Sequence, residues 1–277
     1  MILITGGSGH LSTLVAQKAS VAGLHFATGS RHAAGGQHDI RRIDFDDPGS
    51  LDFSEVETLL LVSAGYAEDD VVIERHGAVI AAAERQSVRH IVYTSLTETG
   101  DHLGFALAHR WTERRLQQSR MAWTILRNGL YAELIGSLAV PVDGVIRAPF
   151  GSASISAVAR EDLADAAVTV LADPASHAGA IYELAGTDAF TIADLARELD
   201  VDYLPESLTA ARQRLTVPPL LPFQPAMLMS IYSASAAGFL QAAGSDLRRL
   251  TPDEPRNILQ LAAAAARAVG QHPAGAR

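Results

Sequence analysis

The sequence predicts an α/β fold in which helices wind over both faces of a parallel sheet. Three observations carry this expectation. The chain opens with an apolar run, a glycine turn and a segment of helical spacing. Short apolar runs then alternate with helical patterns as far as residue 130, the order that builds βαβ units. Finally, Leu59-Leu60-Leu61-Val62 is unbroken apolar sequence, as a central strand covered on both faces requires.

In the first unit, Ile2 to Ile4 reads as a buried strand and Gly6-Gly7-Ser8-Gly9 as a tight turn. Leu11 to Ala22 reads as a helix with Leu11, Leu14, Val15 and Ala19 on one face. Strand, glycine turn and helix in that order make a cradle for a phosphate. Glycines let the backbone approach closely, and the free N–H groups at the helix start carry partial positive charge. Gly6, Gly7, Ser8, Gly9, His10 and Leu11 are therefore the expected contacts of a dinucleotide pyrophosphate. The spacing Gly6-x-x-Gly9-x-x-Ser12 differs from G-x-G-x-x-G, and a plain structural turn is the other reading.

Leu24 to Gly29 is the second strand and ends in Ser30-Arg31-His32. In a dinucleotide fold this end meets the adenosine ribose, where an acidic residue favours NAD and an arginine the 2′-phosphate of NADP. Arg31, with Ser30 beside it, points to NADPH; a solvated surface arginine is the alternative. Gly35-Gly36 is a loop, and Arg41 to Phe45 a short third strand closed by Asp46-Asp47-Pro48-Gly49. Thr58 to Ser63 is the fourth strand, with Ser63-Ala64-Gly65 at its carboxyl end, where open α/β sheets bind ligands. Ser63 and Ala64 are expected at the cofactor. Val71 to Arg85 is a helix, and His90 to Ser95 a fifth strand whose terminal Thr94 and Ser95 join the cofactor set. Phe105 to Gln118 is a helix carrying His109 and Glu113. Ala122 to Leu126 is the sixth strand, followed by Arg127-Asn128-Gly129.

The second half is less regular. Val145 to Ala148 and Ser154 to Val158 read as short strands, Glu161 to Ala172 as a helix and Ala180 to Leu184 as a strand. Thr191 to Leu199 is helical, with Thr191 as N-cap. Leu215 to Pro225 is rich in Pro and Leu. Ala226 to Ala243 is an apolar helix whose Met227, Met229, Tyr232 and Phe239 form either core or the wall of a substrate pocket. Asn257 to Val269 is a closing helix, and Gly270 to Arg277 a frayed tail.

Composition bounds the function. With 277 residues, 48% of them hydrophobic, the chain can bury a large core. A net charge of -9 argues against nucleic acid or an anionic membrane as partner. There is no cysteine, so disulfides, thiolate catalysis and Cys–zinc sites are excluded, and no metal is expected. The first strand begins beside Met1, leaving no room for a signal peptide, and no apolar run is long enough to span a bilayer. The expectation is a cytoplasmic protein, monomer or homodimer, acting on a small apolar molecule.

Several segments carry a likeness to a known family. Thr5-Gly6-Gly7-Ser8-Gly9-His10-Leu11 resembles the TGATGxLG opening of atypical short-chain dehydrogenases of the NmrA-like group. Ala108-His109-Arg110-Trp111-Thr112-Glu113 is similar to that group's DEHxxTE helix. Thr124-Ile125-Leu126-Arg127-Asn128-Gly129-Leu130-Tyr131-Ala132-Glu133 resembles the TLLRNGWYxEN segment of type-2 NAD(P)H:quinone oxidoreductases. Residues 158–164, 182–186 and Ser245-Asp246-Leu247 are similar to the same subgroup, so the likeness covers most of the chain. It implies a Rossmann-type doubly wound sheet, an NADPH site and a small C-terminal lobe over a quinone pocket. The expected division is 1–130 as the NAD(P)-binding domain, with 153–185 returning to it, and 131–152 with 186–277 as the substrate-binding lobe. Ser12 replaces the third glycine, Leu130 the tryptophan, Leu134 the final asparagine, and Ala108 the acidic residue before His109.

Typical short-chain dehydrogenases use Tyr-x-x-x-Lys on the helix after strand five. Phe105 and His109 hold that spacing here, and Lys18, the one lysine of the chain, lies in the first helix. The tyrosine–lysine alcohol mechanism is therefore not expected. Quinone reduction asks for less: hydride enters an electron-poor ring, and the product oxygen takes its proton from water or a histidine. His109, Asn128 and Tyr131 are the candidate catalytic residues. His109 can bind the ribose of the cofactor or donate a proton, with Glu113 one turn on to orient it. Structural roles stay open for all four: a bonded helix histidine, a surface ion pair for Glu113, a turn residue at Asn128, a core side chain at Tyr131. Two functions fit: an NADPH-dependent reductase of quinones or related conjugated carbonyls, and a non-catalytic NADP-sensing regulator. A biosynthetic tailoring reductase is a third.

Overall fold

The computed structural model describes residues 1–31, 39–63, 67–215 and 220–271. His32, Gly35-Gly36, Ala64 and Gly65, part of Leu215 to Pro225, and the tail after residue 271 lie outside the described residues. In chain order the strands are β1 (Ile2–Ile4), β2 (Phe26–Ser30), β3 (Asp39–Arg42), β4 (Thr58–Val62), β5 (His90–Leu96), β6 (Ala122–Asn128), β7 (Val145–Ala148), β8 (Ile181–Leu184) and β9 (Asp202–Pro205). The helices are α1 (His10–Val21), α2 (Asp69–Arg85), α3 (Ala106–Gln117), α4 (Ala132–Leu138), α5 (Arg160–Ala172), α6 (Ile192–Leu199), α7 (Leu208–Arg214), α8 (Gln224–Ala236), α9 (Leu247–Leu250) and α10 (Ile258–Gln271).

Among the described residues seven strands form one parallel sheet in the order β3-β2-β1-β4-β5-β6-β8. The order reverses between β1 and β4, which opens the ligand crevice of a doubly wound fold at their carboxyl ends. Alternation along each strand divides the core. Leu3, Leu59, Leu61, Ile91 and Tyr93 face α2 and α3, where Val79, Ile80, Ala83 and Leu116 complete one cluster. Ile4, Leu60, Val92 and Leu126 face α1 and α5, against Leu11, Val15, Leu163 and Val170. Both faces are covered, which explains the unbroken apolar run of β4.

A separate core gathers Ile135, Ile146, Phe150, Leu195, Ile231 and Ala262 around the small parallel pair β7-β9. Here the structure departs from the sequence expectation most. Ser154 to Val158 forms only isolated bridges, Ile155 to Phe190 and Val158 to Tyr131. The apolar helix expected to reach Ala243 stops at Ala236. Gly238 adopts a left-handed φ of 77°, and the N–H groups of Gly238 and Phe239 turn back onto the carbonyls of Ser235 and Ala234. α4, which sequence periodicity does not announce, is pinned by α10. A Cβ on Gly136 would lie 2.0 Å from the Ala262 carbonyl oxygen, so only glycine allows that approach. The third strand runs Asp39–Arg42 rather than Arg41 to Phe45, and Ile43 beyond it drops into the core over Gly29. Thr191 caps α6 as expected, in a reciprocal box with Asp194.

Candidate functional site

The carboxyl ends of β1, β4, β5 and β6 converge on one crevice. At β1, Thr5 closes the strand onto β4: its hydroxyl donates to the Leu60 carbonyl at 3.0 Å and accepts from the Val62 N–H at 2.9 Å. Gly6 follows with φ 69°, a conformation glycine adopts without strain. Gly7 donates its N–H to the Gly29 carbonyl at 2.9 Å, locking the turn to β2. Gly9 is the N-cap of α1, where no side chain caps the amides and the first turn holds no acidic residue. A Cβ built on Gly9 meets only the Gly6 carbonyl oxygen, at 3.2 Å, so the space beyond is open. Uncapped amides beside open space are what an anion needs, and the cradle fits a pyrophosphate. Ser8 and His10 are exposed at its rim, while the side chain of Leu11 is core and leaves only its backbone to a ligand.

Ser30 ends β2, and Arg31 beyond it is exposed. Asp46 approaches this end from the turn after β3 and feels the charge of Arg31. It does not stand as a free carboxylate, because Arg75 grips it with two bonds, Nε at 2.6 Å and Nη2 at 2.8 Å. These bonds hold the Asp46 pKa below the usual range.

β5 and α3 mesh at one spacing. Tyr93 and Ser95, two residues apart on the strand, meet His109 and Glu113, four apart on the helix. Two strand residues advance about 6.6 Å and four helix residues about 6 Å, so the pairs stay in step. Tyr93 Oη lies 2.8 Å from His109 Nδ1, and Ser95 Oγ donates to Glu113 Oε1 at 2.6 Å. Glu113 therefore does not orient His109, as the helical spacing suggested. It also accepts from Arg110 at 2.7 Å and from Arg127 at 2.9 and 2.7 Å, and it is a buried clamp rather than a surface ion pair. Ser95 is committed to this clamp. Thr94, facing the other way, accepts the Ser63 N–H at 3.1 Å and ties β4 to β5. Burial pushes the His109 pKa down to about 3. A half-buried ring that is neutral near pH 7 fits a hydrogen-bonding role better than a proton-donating one.

Asn128 is the last residue of β6 rather than a turn residue after it, and its backbone carbonyl accepts from the Thr97 N–H at 3.1 Å. Its side-chain Oδ1 is buried with no hydrogen-bond partner, the mark of a group that awaits a donor. Tyr131 is half-buried, with the Arg160 guanidinium 4.4 Å over its ring. Beside these residues runs a narrow cleft lined by Thr97, Thr99, Gly100, Leu130, Ile155, Ser156 and Leu240. Across it the loop after β5 meets the second core: Gly104 N–H donates to Ser230 Oγ at 2.9 Å, and His102 stacks on Phe239 with ring centres 3.9 Å apart.

The chain is 35% identical over 212 residues to quinone oxidoreductase 2 of Escherichia coli, covering 72% of this chain and 73% of that protein. It belongs to the NmrA-like atypical short-chain dehydrogenases, near quinone oxidoreductase 2. No family model matches the chain. The crystal structure of the NADPH-dependent Escherichia coli enzyme complexed with NADPH superposes with a TM-score of 0.85 at 29% identity, covering 95% of this chain and 99% of that one. The Citrobacter sp. triphenylmethane reductase complexed with NADP(H) gives 0.86 at 26% identity, with 95% and 99% covered. NmrA, a negative transcriptional regulator in complex with NADP, gives 0.76 at 14% identity, with 99% and 98% covered, a likeness of fold alone.

Within this NmrA-like frame one departure, Ser12, finds a physical reason. Ser12, in place of the third glycine, is buried and donates its hydroxyl to the Thr5 carbonyl at 2.9 Å, just below the turn. Lys18 forms an ion pair with Asp165 on α5 at 2.8 Å, which ties α1 to α5. Tyr93 and Arg110 were invisible as site residues. The one available signal was a tyrosine inside an apolar strand, since a buried phenol must find a partner.

Proposed function

We propose that this NmrA-like chain is an NADPH-dependent oxidoreductase that passes hydride to a quinone or a related conjugated carbonyl. The observation that carries the reading is His109: a histidine at the strand ends, buried enough to stay neutral. A site without a strong acid suits an acceptor whose reduced oxygen takes its proton from water. The tyrosine–lysine spacing is held here by Phe105 and His109, and Lys18 is engaged with Asp165, which supports a mechanism that does without the tyrosine–lysine pair. The NADPH-bound relatives at 29% and 26% identity support the cofactor.

In this reading Gly6, Gly7 and Gly9 shape the turn, with the N–H groups of Gly7 and Gly9 bonded to the carbonyls of Gly29 and Gly6, the backbone amides of Ser8, His10 and Leu11 hold the pyrophosphate, and Ser30 and Arg31 take the 2′-phosphate. Ser63 and Thr94 border the nicotinamide half. His109 bonds the ribose, the unsatisfied Oδ1 of Asn128 receives an amide N–H of the ligand, and Tyr131 walls the pocket. When bound, the nicotinamide supplies the hydride; the chain supplies orientation and dryness. NADPH oxidation against a panel of benzoquinones, naphthoquinones and a cationic triarylmethane dye tests the proposal. Turnover of a quinone supports it. Tight NADPH binding without turnover of any acceptor overturns it in favour of a sensing role.

A further inference from the structure

We propose that Tyr93 is a positioning residue that donates its hydroxyl hydrogen to Nδ1 of His109 and so fixes His109 as the Nε2–H tautomer offered to the cofactor. This rests on the cofactor-placing role of His109 proposed above and says how that role is enforced. Tyr93 is fully buried in β5, and its Oη is 2.8 Å from His109 Nδ1. The two ring centres lie 6.0 Å apart at 35°, with the ring centre of His76 5.6 Å from that of Tyr93, edge to face, on one side and that of Phe105 6.4 Å from that of His109 on the other. Tyr93 and Phe105 thus flank the ring of His109.

The direction of the bond follows from acidity. Burial raises the Tyr93 pKa, so it is a neutral phenol, and His109 is a neutral imidazole. A phenol is the stronger acid of the pair and an imidazole nitrogen the stronger base, which makes O–H···N the favoured arrangement. The hydroxyls of Thr112 and Ser63 also face Tyr93. Thr112 is already committed: its Oγ1 donates to the Ala108 carbonyl at 2.8 Å and lies 2.9 Å from His76 Nδ1, which must therefore supply the hydrogen there. With Nδ1 of His109 accepting, its one hydrogen sits on Nε2. The side chain then offers a fixed donor, as a lysine would, without a charge. A proton relay through the pair is disfavoured, because it would leave a tyrosinate in an apolar interior.

Nitrogen-15 spectra of the full chain labelled at histidine test this, with His109 assigned by the loss of its signal in His109→Gln. The expected wild-type spectrum shows protonated Nε2 and bare Nδ1; protonated Nδ1, or an imidazolium at pH 7, overturns the proposal. Steady-state kinetics and NADPH titration supply the second readout. Tyr93→Phe should raise the KM and Kd for NADPH roughly tenfold, the loss of about one hydrogen bond, while kcat moves much less. If Tyr93→Phe leaves NADPH affinity intact while His109→Ala weakens it, Tyr93 is structural and the placing role of His109 stands. If His109→Ala also leaves it intact, the placing role itself fails.

Discussion

The guanidinium of Arg127 grips both oxygens of Glu113, Nε on Oε1 at 2.9 Å and Nη2 on Oε2 at 2.7 Å. Nη1 of Arg127 reaches Glu98 and Glu183, both at 2.9 Å. Arg110, on the same carboxylate, also donates to the carbonyls of Leu96 and Thr97 at 2.8 and 2.9 Å. One buried charge thus joins β5, α3, β6 and β8 and holds the loop that lines the cleft.

Replacing Glu113 with Gln should therefore cost stability and disturb the cleft. Burial alone would raise the Glu113 pKa, but the bonds from Arg127 and Ser95 and the charges of Arg110 and Arg127 bring it below the usual range, so the group is an anion near pH 7. Its loss leaves two guanidiniums short of a partner, though Glu98, Glu183 and Asp101 remain. We expect a loss of up to about 3–5 kcal/mol in urea unfolding and a higher KM for the acceptor. A variant as stable as the parent would show that the clamp contributes no net stability.

Acid should destabilise the fold through His76. This side chain is fully buried, and burial holds its pKa near 3 in the folded state, while the unfolded chain takes up the proton near pH 6.5. Between those values the unfolded state binds more protons. The contribution is complete above pH 6.5 and is lost as pH falls toward 3, with a slope approaching about 1.4 kcal/mol per pH unit. His76→Gln keeps a donor for Thr112 and should flatten the acid limb by that amount. Unfolding free energies of both proteins from pH 4 to 7 check it; parallel limbs would mean that His76 is charged in the fold.

Gly9→Val should abolish NADPH binding and leave the fold intact. Gly9 has a φ of -85°, which valine tolerates, and its Cβ would meet only the Gly6 carbonyl oxygen. The branched side chain would instead fill the space offered to the pyrophosphate. Circular dichroism and a fluorescence titration decide this. A folded variant with normal affinity would place the cradle elsewhere.

Arg31→Ala should cost about tenfold or more in NADPH affinity, the worth of a charge-assisted phosphate contact, and leave NADH affinity nearly unchanged. Asp46 lies nearby, yet Arg75 holds it by two bonds, so it does not oppose the phosphate. Equal wild-type affinity for both cofactors would remove the claim.

The sheet was legible because burial on two faces writes itself as apolar runs, and β4 and β5 stand close to where those runs lie. The glycine turn was legible because Gly6 sits at a φ of 69°, which glycine adopts freely, and Gly7 packs closely on the Gly29 carbonyl. The partnerships were not. Glu113 is one turn from His109 in sequence, and only the facing strands β5 and β6 show that Ser95 and Arg127 hold the first and Tyr93 the second. The second core was least legible, since α4 depends on a contact with α10, residues 132–138 against 258–271, that no local pattern records.

The last prediction concerns what His109 does. If it places the ribose through a fixed Nε2–H, His109→Gln keeps a donor and should retain much of the quinone reductase activity, while His109→Ala loses more, mainly through weaker NADPH binding. An obligatory acid would behave otherwise. Both variants would lose roughly 10²–10⁴-fold in turnover, and wild-type activity would fall as pH rises through the histidine pKa. With that pKa near 3, the imidazolium is absent throughout pH 5 to 9, and the wild-type rate should show no histidine step in that range. Steady-state rates of the three proteins across it settle the matter: a descending limb near pH 6.5, with equal and severe loss in both variants and normal NADPH affinity, would make His109 the proton donor.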